Sequence, residues 1–136
     1  MSDAIDWDTL HREAVAALAH SYSPYSKFPV GVAGFTDDGR LVSGANVENA
    51  SYGLTLCAEC SMVSQLMATG GGRLIAAWCV DGHGDSLMPC GRCRQLLYEH
   101  GGPAMLLMTP EGVLTMDDVL PQAFGPIDLE TRGSEQ

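Results

Sequence analysis

Four of the five cysteines in this 136-residue chain fall into two short clusters. Residues 57–60 read CAEC and residues 89–93 read PCGRC, and each cluster begins a segment that we predict to be helical. Free N–H groups and the helix dipole at a helix N-terminus lower the pKa of a thiol and favour the thiolate. Thiolate is the form that binds zinc. The paired spacing and the odd cysteine count therefore predict a metal site rather than a set of disulfides.

Two kinds of zinc site fit these cysteines. In a structural site all four would close the coordination shell, whereas a catalytic site has three protein ligands and an open fourth position for water. Glu59 favours the catalytic site, because hydrolysis needs a carboxylate beside the activated water to move protons. The order C-x-E followed by P-C-x-x-C is also the pattern of zinc-dependent nucleobase deaminases. This interpretation gives three zinc ligands, one acid–base residue and one spare thiol: Cys57, Cys90 and Cys93, Glu59, and Cys60.

The wider sequence around these clusters resembles the small homotetrameric cytidine deaminases of nucleoside salvage, most of all their actinobacterial members. The resemblance runs from about residue 8 to residue 125, and it is carried by residues 23–31 (SPYSKFPVG), 46–59 (NVENASYGLTLCAE), 89–95 (PCGRCRQ) and 120–125 (LPQAFG). It implies a hydrolase that converts cytidine and 2′-deoxycytidine to uridine and 2′-deoxyuridine and releases ammonia. It also implies one zinc ion per chain and a homotetramer whose active sites are completed by neighbouring subunits.

In the expected reaction the metal activates water and a carboxylate transfers protons. A catalytic zinc lowers the pKa of its water toward about 7, so that hydroxide can attack C4 of the cytosine ring. Glu59 is then expected to take the proton of the water, deliver a proton to N3 and help ammonia leave.

Two polar side chains precede the first cluster. Asn46 and Glu48 alternate along an extended segment, so both point to one side, where an amide and a carboxylate suit the hydroxyls of a ribose. In the resembling family the equivalent pair binds the 3′-hydroxyl. Ala58 begins a predicted helix, and its free backbone N–H is expected to bind the carbonyl of the base.

Other contacts follow from the resemblance alone. It implies that Phe28 and Phe124 stack on the base, with Phe124 coming from a neighbouring subunit. It also implies that Ala50 and Tyr52 contact substrate across a subunit interface.

The main departure from the family pattern is Cys60, since the family usually has an arginine there that hydrogen-bonds the ligand thiolates. Three thiolates leave the zinc site with a formal charge of −1. We expect the two helix N-termini and Arg94 to offset it. Cys79 lies in an apolar run and is predicted to be a small buried residue.

The formal net charge of −10 argues against binding to nucleic acid polymers or anionic membranes, both of which attract lysine and arginine. Deamination of polynucleotides is disfavoured for this reason and because aromatic residues make up only 7% of the chain. A deaminase of cytosine-containing nucleoside antibiotics remains a rival, as does a four-cysteine structural zinc scaffold. The acidic start and the absence of a long apolar run predict a cytoplasmic protein.

Hydrophobic periodicity and glycine or proline breaks predict the elements that carry these residues. Strands and helices alternate after an initial hairpin, which predicts one domain over residues 1–136 with three α/β/α layers and a mixed sheet. The resemblance implies five strands in that sheet. The predicted helices are 6–21, 57–69, 91–100 and 116–123, the predicted strands are 30–36, 41–47, 73–80 and 104–109, and residues 127–136 form a tail after a core of about 6–125.

Overall fold

The computed structural model describes residues 5–132, and it contains five strands and five α-helices within that range. In chain order these are α1 (Trp7–Ala17), β1 (Gly31–Thr36), β2 (Leu41–Ala45), α2 (Ala58–Ala68), β3 (Leu74–Val80), α3 (Gly91–Gly101), β4 (Leu106–Thr109), β5 (Gly112–Thr115), α4 (Met116–Val119) and α5 (Pro126–Arg132). Two short 3₁₀ turns cover Leu18–His20 and Tyr52–Leu54.

The five strands form one mixed sheet in the order β2-β1-β3-β4-β5. Only β3 and β4 are parallel, and every other neighbouring pair is antiparallel. The β1–β2 hairpin turns at Asp37–Arg40, where the sequence predicted it, because Gly39 supplies a positive φ of 87°. The predicted α/β architecture with a mixed five-stranded sheet is confirmed.

Helices cover both faces of the sheet, as alternating side chains on β1 require. Val32 points into the larger core, which α2 and α3 share with β2, β3 and β4. Its neighbour Ala33 points to the opposite face, where Leu10 and Ala14 of α1 pack against it. The site described below lies on the side of α2 and α3.

The C-terminal third differs from the sequence prediction. Residues 112–115, to which no element was assigned from the sequence, form an edge strand, and α4 ends at Val119 instead of continuing to residue 123. The predicted tail begins inside α5, which reaches Arg132, and its last residues, 133–136, lie outside the described residues. Among residues 5–132, no helix has the length and apolar character that crossing a bilayer requires.

Candidate active site

Two helix starts bring three thiols together. Cys57 is the N-cap residue of α2 and Cys90 is the N-cap residue of α3. Cys93 lies in the first turn of α3 and is buried. The Sγ atoms of Cys57, Cys90 and Cys93 all lie within 4.8 Å of one another.

This cluster fits a zinc ion. Tetrahedral zinc with Zn–S bonds of about 2.3 Å places its sulfur ligands about 3.8 Å apart, a spacing that the 4.8 Å limit accommodates. Cys60 is not part of the group, although its thiol is free and partly exposed. The described residues therefore offer three ligands, which is the number found in catalytic zinc sites.

The three thiols differ in acidity, and only Cys90 has the lowered pKa that was expected at a helix start. Burial raises the pKa of Cys57 and of Cys93 above the usual range. The backbone N–H of Cys93 lowers the pKa of the more exposed Cys90. A bound divalent cation favours the deprotonated form of every thiol it contacts, so metal binding and thiolate formation are coupled here.

Glu59 lies beside the thiols in the first turn of α2. Its side chain is only 3% exposed, and it lines the same cavity as the three cysteines. One oxygen, Oε2, accepts a hydrogen bond from Cys79 Sγ at 3.3 Å. Cys79 is buried as predicted, but the sequence analysis missed its contact with Glu59. The apolar run around Cys79 carries no signal for a polar contact.

Asn46 lines this cavity together with Ala58, and it is already engaged with the preceding loop. Its Oδ1 accepts hydrogen bonds from Ser21 Oγ at 2.6 Å and from Val30 N at 2.9 Å. Its Nδ2 donates one hydrogen bond to Phe28 O at 2.9 Å. Because an amide nitrogen carries two hydrogens, one donor remains available to a ligand.

Glu48 lies in a second cavity that shares Thr55 with the first. Its Oε1 accepts hydrogen bonds from the backbone N–H groups of Tyr25 at 3.0 Å and Ser26 at 3.1 Å. The Ser26 hydroxyl also donates to Oε2, and this bond lowers the pKa of Glu48 below its ordinary value. Tyr52 lines the same cavity.

The remaining predicted substrate contacts lie on the surface of the chain. Phe28 is 51% exposed and Phe124 is 59% exposed. Ala50 is exposed in the loop before the 3₁₀ turn that contains Tyr52. The structure thus brings Asn46 and Ala58 to the cavity of the thiols and leaves Ala50 and the two phenylalanines at the periphery.

Arg94 makes different contacts from those expected. Its Nε donates to the carbonyl of Pro89 at 2.9 Å, and its Nη1 donates to the carbonyl of Val119 at 3.0 Å. These bonds tie the turn before Cys90 to the end of α4. The expected direct hydrogen bond from Arg94 to a ligand thiolate is not among them.

Comparison with known proteins relates this chain to cytidine deaminases. The sequence profile of the cytidine and deoxycytidylate deaminase zinc-binding region matches residues 6–109. A cytidine deaminase of Mycobacterium tuberculosis is 58% identical over 125 residues, which cover 92% of this chain and 94% of the relative. One from Halalkalibacterium halodurans is 36% identical over 130 residues, covering 92% and 98%.

Solved structures agree. The crystal structure of cytidine deaminase from Mycobacterium leprae matches with a TM-score of 0.86 and 74% identity, covering 87% of this chain and 99% of that one. The enzyme from M. tuberculosis matches with a TM-score of 0.87 and 59% identity, covering 89% and 98%.

Proposed function

The chain belongs to the family of zinc-dependent cytidine deaminases, and we propose that it hydrolyses cytidine and 2′-deoxycytidine to uridine and 2′-deoxyuridine in pyrimidine salvage. One observation carries this proposal: three thiols at two helix starts share a cavity with a buried carboxylate that is not itself in the ligand group. A structural zinc site would have no use for that carboxylate.

Cys57, Cys90 and Cys93 would hold the metal. When bound there, zinc supplies a Lewis acid that makes water nucleophilic near neutral pH. The two helix N-termini face the site and offset part of the negative charge of the thiolates. Arg94 keeps the Pro89–Cys90 turn in position through the backbone instead of contacting sulfur.

Glu59 moves the protons. It receives one proton from the water whose oxygen adds to C4 of the base, and it delivers that proton to N3. The second proton of the water then passes to the amino group at C4, which leaves as ammonia when the C4–N bond breaks. The position of Glu59 among the ligand cysteines, buried but open to their cavity, supports this role.

The nucleoside spans both cavities in this proposal. The base lies in the cavity of the thiols, with its carbonyl on the N–H of Ala58, and the sugar extends past Thr55 toward Glu48. The free Nδ2 hydrogen of Asn46 and the Glu48 carboxylate bind the sugar hydroxyls. The contacts of both side chains with residues 21–30 support this arrangement, because they hold the Asn46 amide and the Glu48 carboxylate in place before substrate arrives.

Neighbouring subunits complete the site. We propose a homotetramer in which Phe124 of one subunit stacks on the base held by another, with Phe28 on its other side and with Ala50 and Tyr52 at the subunit contact. The exposure of Tyr52 (76%) and Phe124 in the isolated chain supports a covering partner. All five cysteines are free, which supports a cytoplasmic location where thiols stay reduced.

The test follows the loss of ultraviolet absorbance when purified protein meets cytidine or 2′-deoxycytidine, with a zinc assay on the same sample. We expect rapid deamination and about one zinc ion per chain, as three ligands in one cluster imply. Bound zinc without turnover of either nucleoside would contradict the proposal and favour a structural metal or a modified nucleoside as substrate.

A further inference from the structure

The carboxylate of Glu59 receives a single hydrogen bond within the described residues, and it comes from a thiol. Cys79 lies in the middle of the sheet on β3 and is 1% exposed. Its Sγ lies 3.3 Å from Oε2 of Glu59, a sulfur–oxygen distance at which a thiol can donate a hydrogen bond. Burial keeps this thiol protonated, because it raises the pKa of Cys79 well above the usual range.

The two oxygens of Glu59 are therefore not equivalent. Oε2 is bound to Cys79, whereas Oε1 has no hydrogen-bond partner among residues 5–132. No buried side-chain oxygen or nitrogen in that range lacks a partner, so Oε1 retains some accessible surface. Glu59 lines the cavity of the three thiols, which is where substrate would bind.

We propose that Cys79 is a positioning residue for the acid–base step: its S–H holds Oε2 of Glu59 against the sheet and leaves Oε1 to exchange protons with substrate. This inference rests on the proposed function, because that function makes Glu59 the proton carrier. It assigns Cys79 no contact with substrate or metal.

The side chain of Cys79 reaches the carboxylate from the middle strand of the sheet, because β3 carries Cys79 and the first turn of α2 carries Glu59. The backbone of Cys79 also contributes to the cavity, because its carbonyl accepts a hydrogen bond from the N–H of Leu87 at 2.9 Å, and Leu87 is part of the cavity wall.

The kinetic test compares Cys79→Ala, which removes the donor, with Cys79→Ser, which keeps one. We expect Cys79→Ala to lower kcat about tenfold with KM unchanged, a fraction of the ~10²–10⁴ that acid–base catalysis contributes. We expect Cys79→Ser to recover most of the loss. Val32→Ala is the matched control, because Val32 pairs with Cys79 across the sheet, is equally buried and makes no hydrogen bond to Glu59.

Three kinetic outcomes would overturn the inference. These are a wild-type kcat in Cys79→Ala, a loss in Cys79→Ser as large as in Cys79→Ala, and an equal loss in Val32→Ala, which would indicate general loosening of the core. An inactive wild-type protein would instead refute the proposed function, and the inference with it.

A spectroscopic readout keeps the contact testable if a variant folds poorly. In the zinc-loaded Cys60→Ala protein the ligand cysteines are thiolates, so the S–H stretching band in a Raman spectrum belongs to Cys79 alone. A hydrogen-bonded S–H should shift to higher frequency when Glu59→Ala removes its acceptor. A band that stays in place would overturn the inference without reference to activity.

Discussion

At the scale of single residues, the Glu48 carboxylate shows how a binding group is held ready. Two backbone N–H groups and a hydroxyl from residues 25–26 all donate to it. The charged form is favoured by these donors, so the pKa of Glu48 lies below its ordinary value of 4.5. The Glu48 carboxylate therefore holds the loop before β1 in place. It also lines the cavity that we propose for the sugar.

The lowered pKa of Glu48 predicts a pH-dependent contribution to stability. A group whose pKa is lower in the folded state stabilises that state above its unfolded pKa, and the contribution is lost as pH falls through the folded value. We expect wild-type protein to exceed Glu48→Gln in Tm near neutral pH and the gap to close in acid below 4.5. Thermal melts of both proteins across this range provide the measurement. A gap that is independent of pH would contradict this role of the charge.

Cys60 distinguishes a catalytic from a structural zinc site. Its sulfur lies outside the three-thiol group, so we expect Cys60→Ser to retain about one zinc ion per chain and near wild-type turnover. Cys57→Ser is the matched comparison from the same helix start, and it should lose most of the metal. Metal analysis of both purified variants tests this, and loss of zinc in Cys60→Ser would restore the four-cysteine site.

Residue spacing predicted that three cysteines and Glu59 meet in one site, because all four belong to local motifs at helix starts. The partners of these residues were less accessible. Cys79 is 20 positions from Glu59, and their contact depends on how α2 packs on the sheet. Arg94 was expected near a thiolate because it follows Cys93, but its guanidinium donates to two backbone carbonyls instead. Sequence spacing does not reveal the direction in which the side chain of Cys79 or of Arg94 points.

At the scale of elements, the short distance between α2 and β2 influences where the start of α2, with Cys57 and Glu59, lies on the sheet. Gly44 allows this approach, since a Cβ there would lie 2.5 Å from Met62 N and 2.6 Å from the carbonyl oxygen of Ala58. Ala58 belongs to the turn that carries Cys57 and Glu59. The close approach at Gly44 thus brings the turn that carries the proposed ligand and the proposed base against the sheet.

Gly44→Ala should therefore damage the site as well as the fold. Overpacking of this kind costs about 1–3 kcal/mol, and relief requires α2 to move. We expect lower zinc affinity and reduced kcat in the protein that folds. Gly31→Ala is the control, because its Cβ would meet the carbonyl oxygen of Ala14 in α1, on the opposite face of the sheet.

Denaturant unfolding and zinc titration of the two glycine variants provide the comparison. Similar destabilisation with zinc affinity reduced only in Gly44→Ala is the expected result. Equal zinc affinity in both variants would show that the position of α2 does not control the metal site.

Most elements were predictable from hydrophobic periodicity, and the exceptions have local causes. Strand β5 has only four residues and pairs with β4 through a turn in which Gly112 adopts a φ of 110°. Helix α4 ends early because Leu120 precedes Pro121, and proline disfavours helical geometry in the residue before it. Helix α5 has a proline at its first position, where the fixed φ of proline suits a helix start.

At the scale of the whole molecule, two exposed aromatic side chains support the proposed contacts between subunits. Tyr52 and Phe124 are more than half exposed on a chain of net charge −10. Large apolar side chains in such positions are typical of subunit interfaces. The predicted tetramer with active sites shared between subunits accounts for them.

Subunit mixing tests whether Phe124 acts in a neighbouring site. Stacking of an aromatic ring on a base is worth about 1–3 kcal/mol, so Phe124→Ala should raise KM about tenfold. Glu59→Gln subunits lack a base but keep Phe124, so exchange between the two variants should generate sites with a lower KM. Steady-state kinetics after mixing measures this recovery.

The control for mixing is the double variant Glu59→Gln/Phe124→Ala, which has no intact ring to donate and should restore nothing. Unchanged KM after verified subunit exchange with Glu59→Gln would place Phe124 in the site of its own chain, or in none.

The most direct test of the account is a paired measurement of zinc content and cytidine turnover in Glu59→Gln and in wild-type protein. Because Glu59 lies beside the thiols without belonging to their group, the variant should keep about one zinc ion per chain and lose at least about a hundredfold in kcat. A zinc-replete variant with wild-type turnover would contradict the role of Glu59 as proton carrier. Loss of the metal would instead show that Glu59 is a ligand.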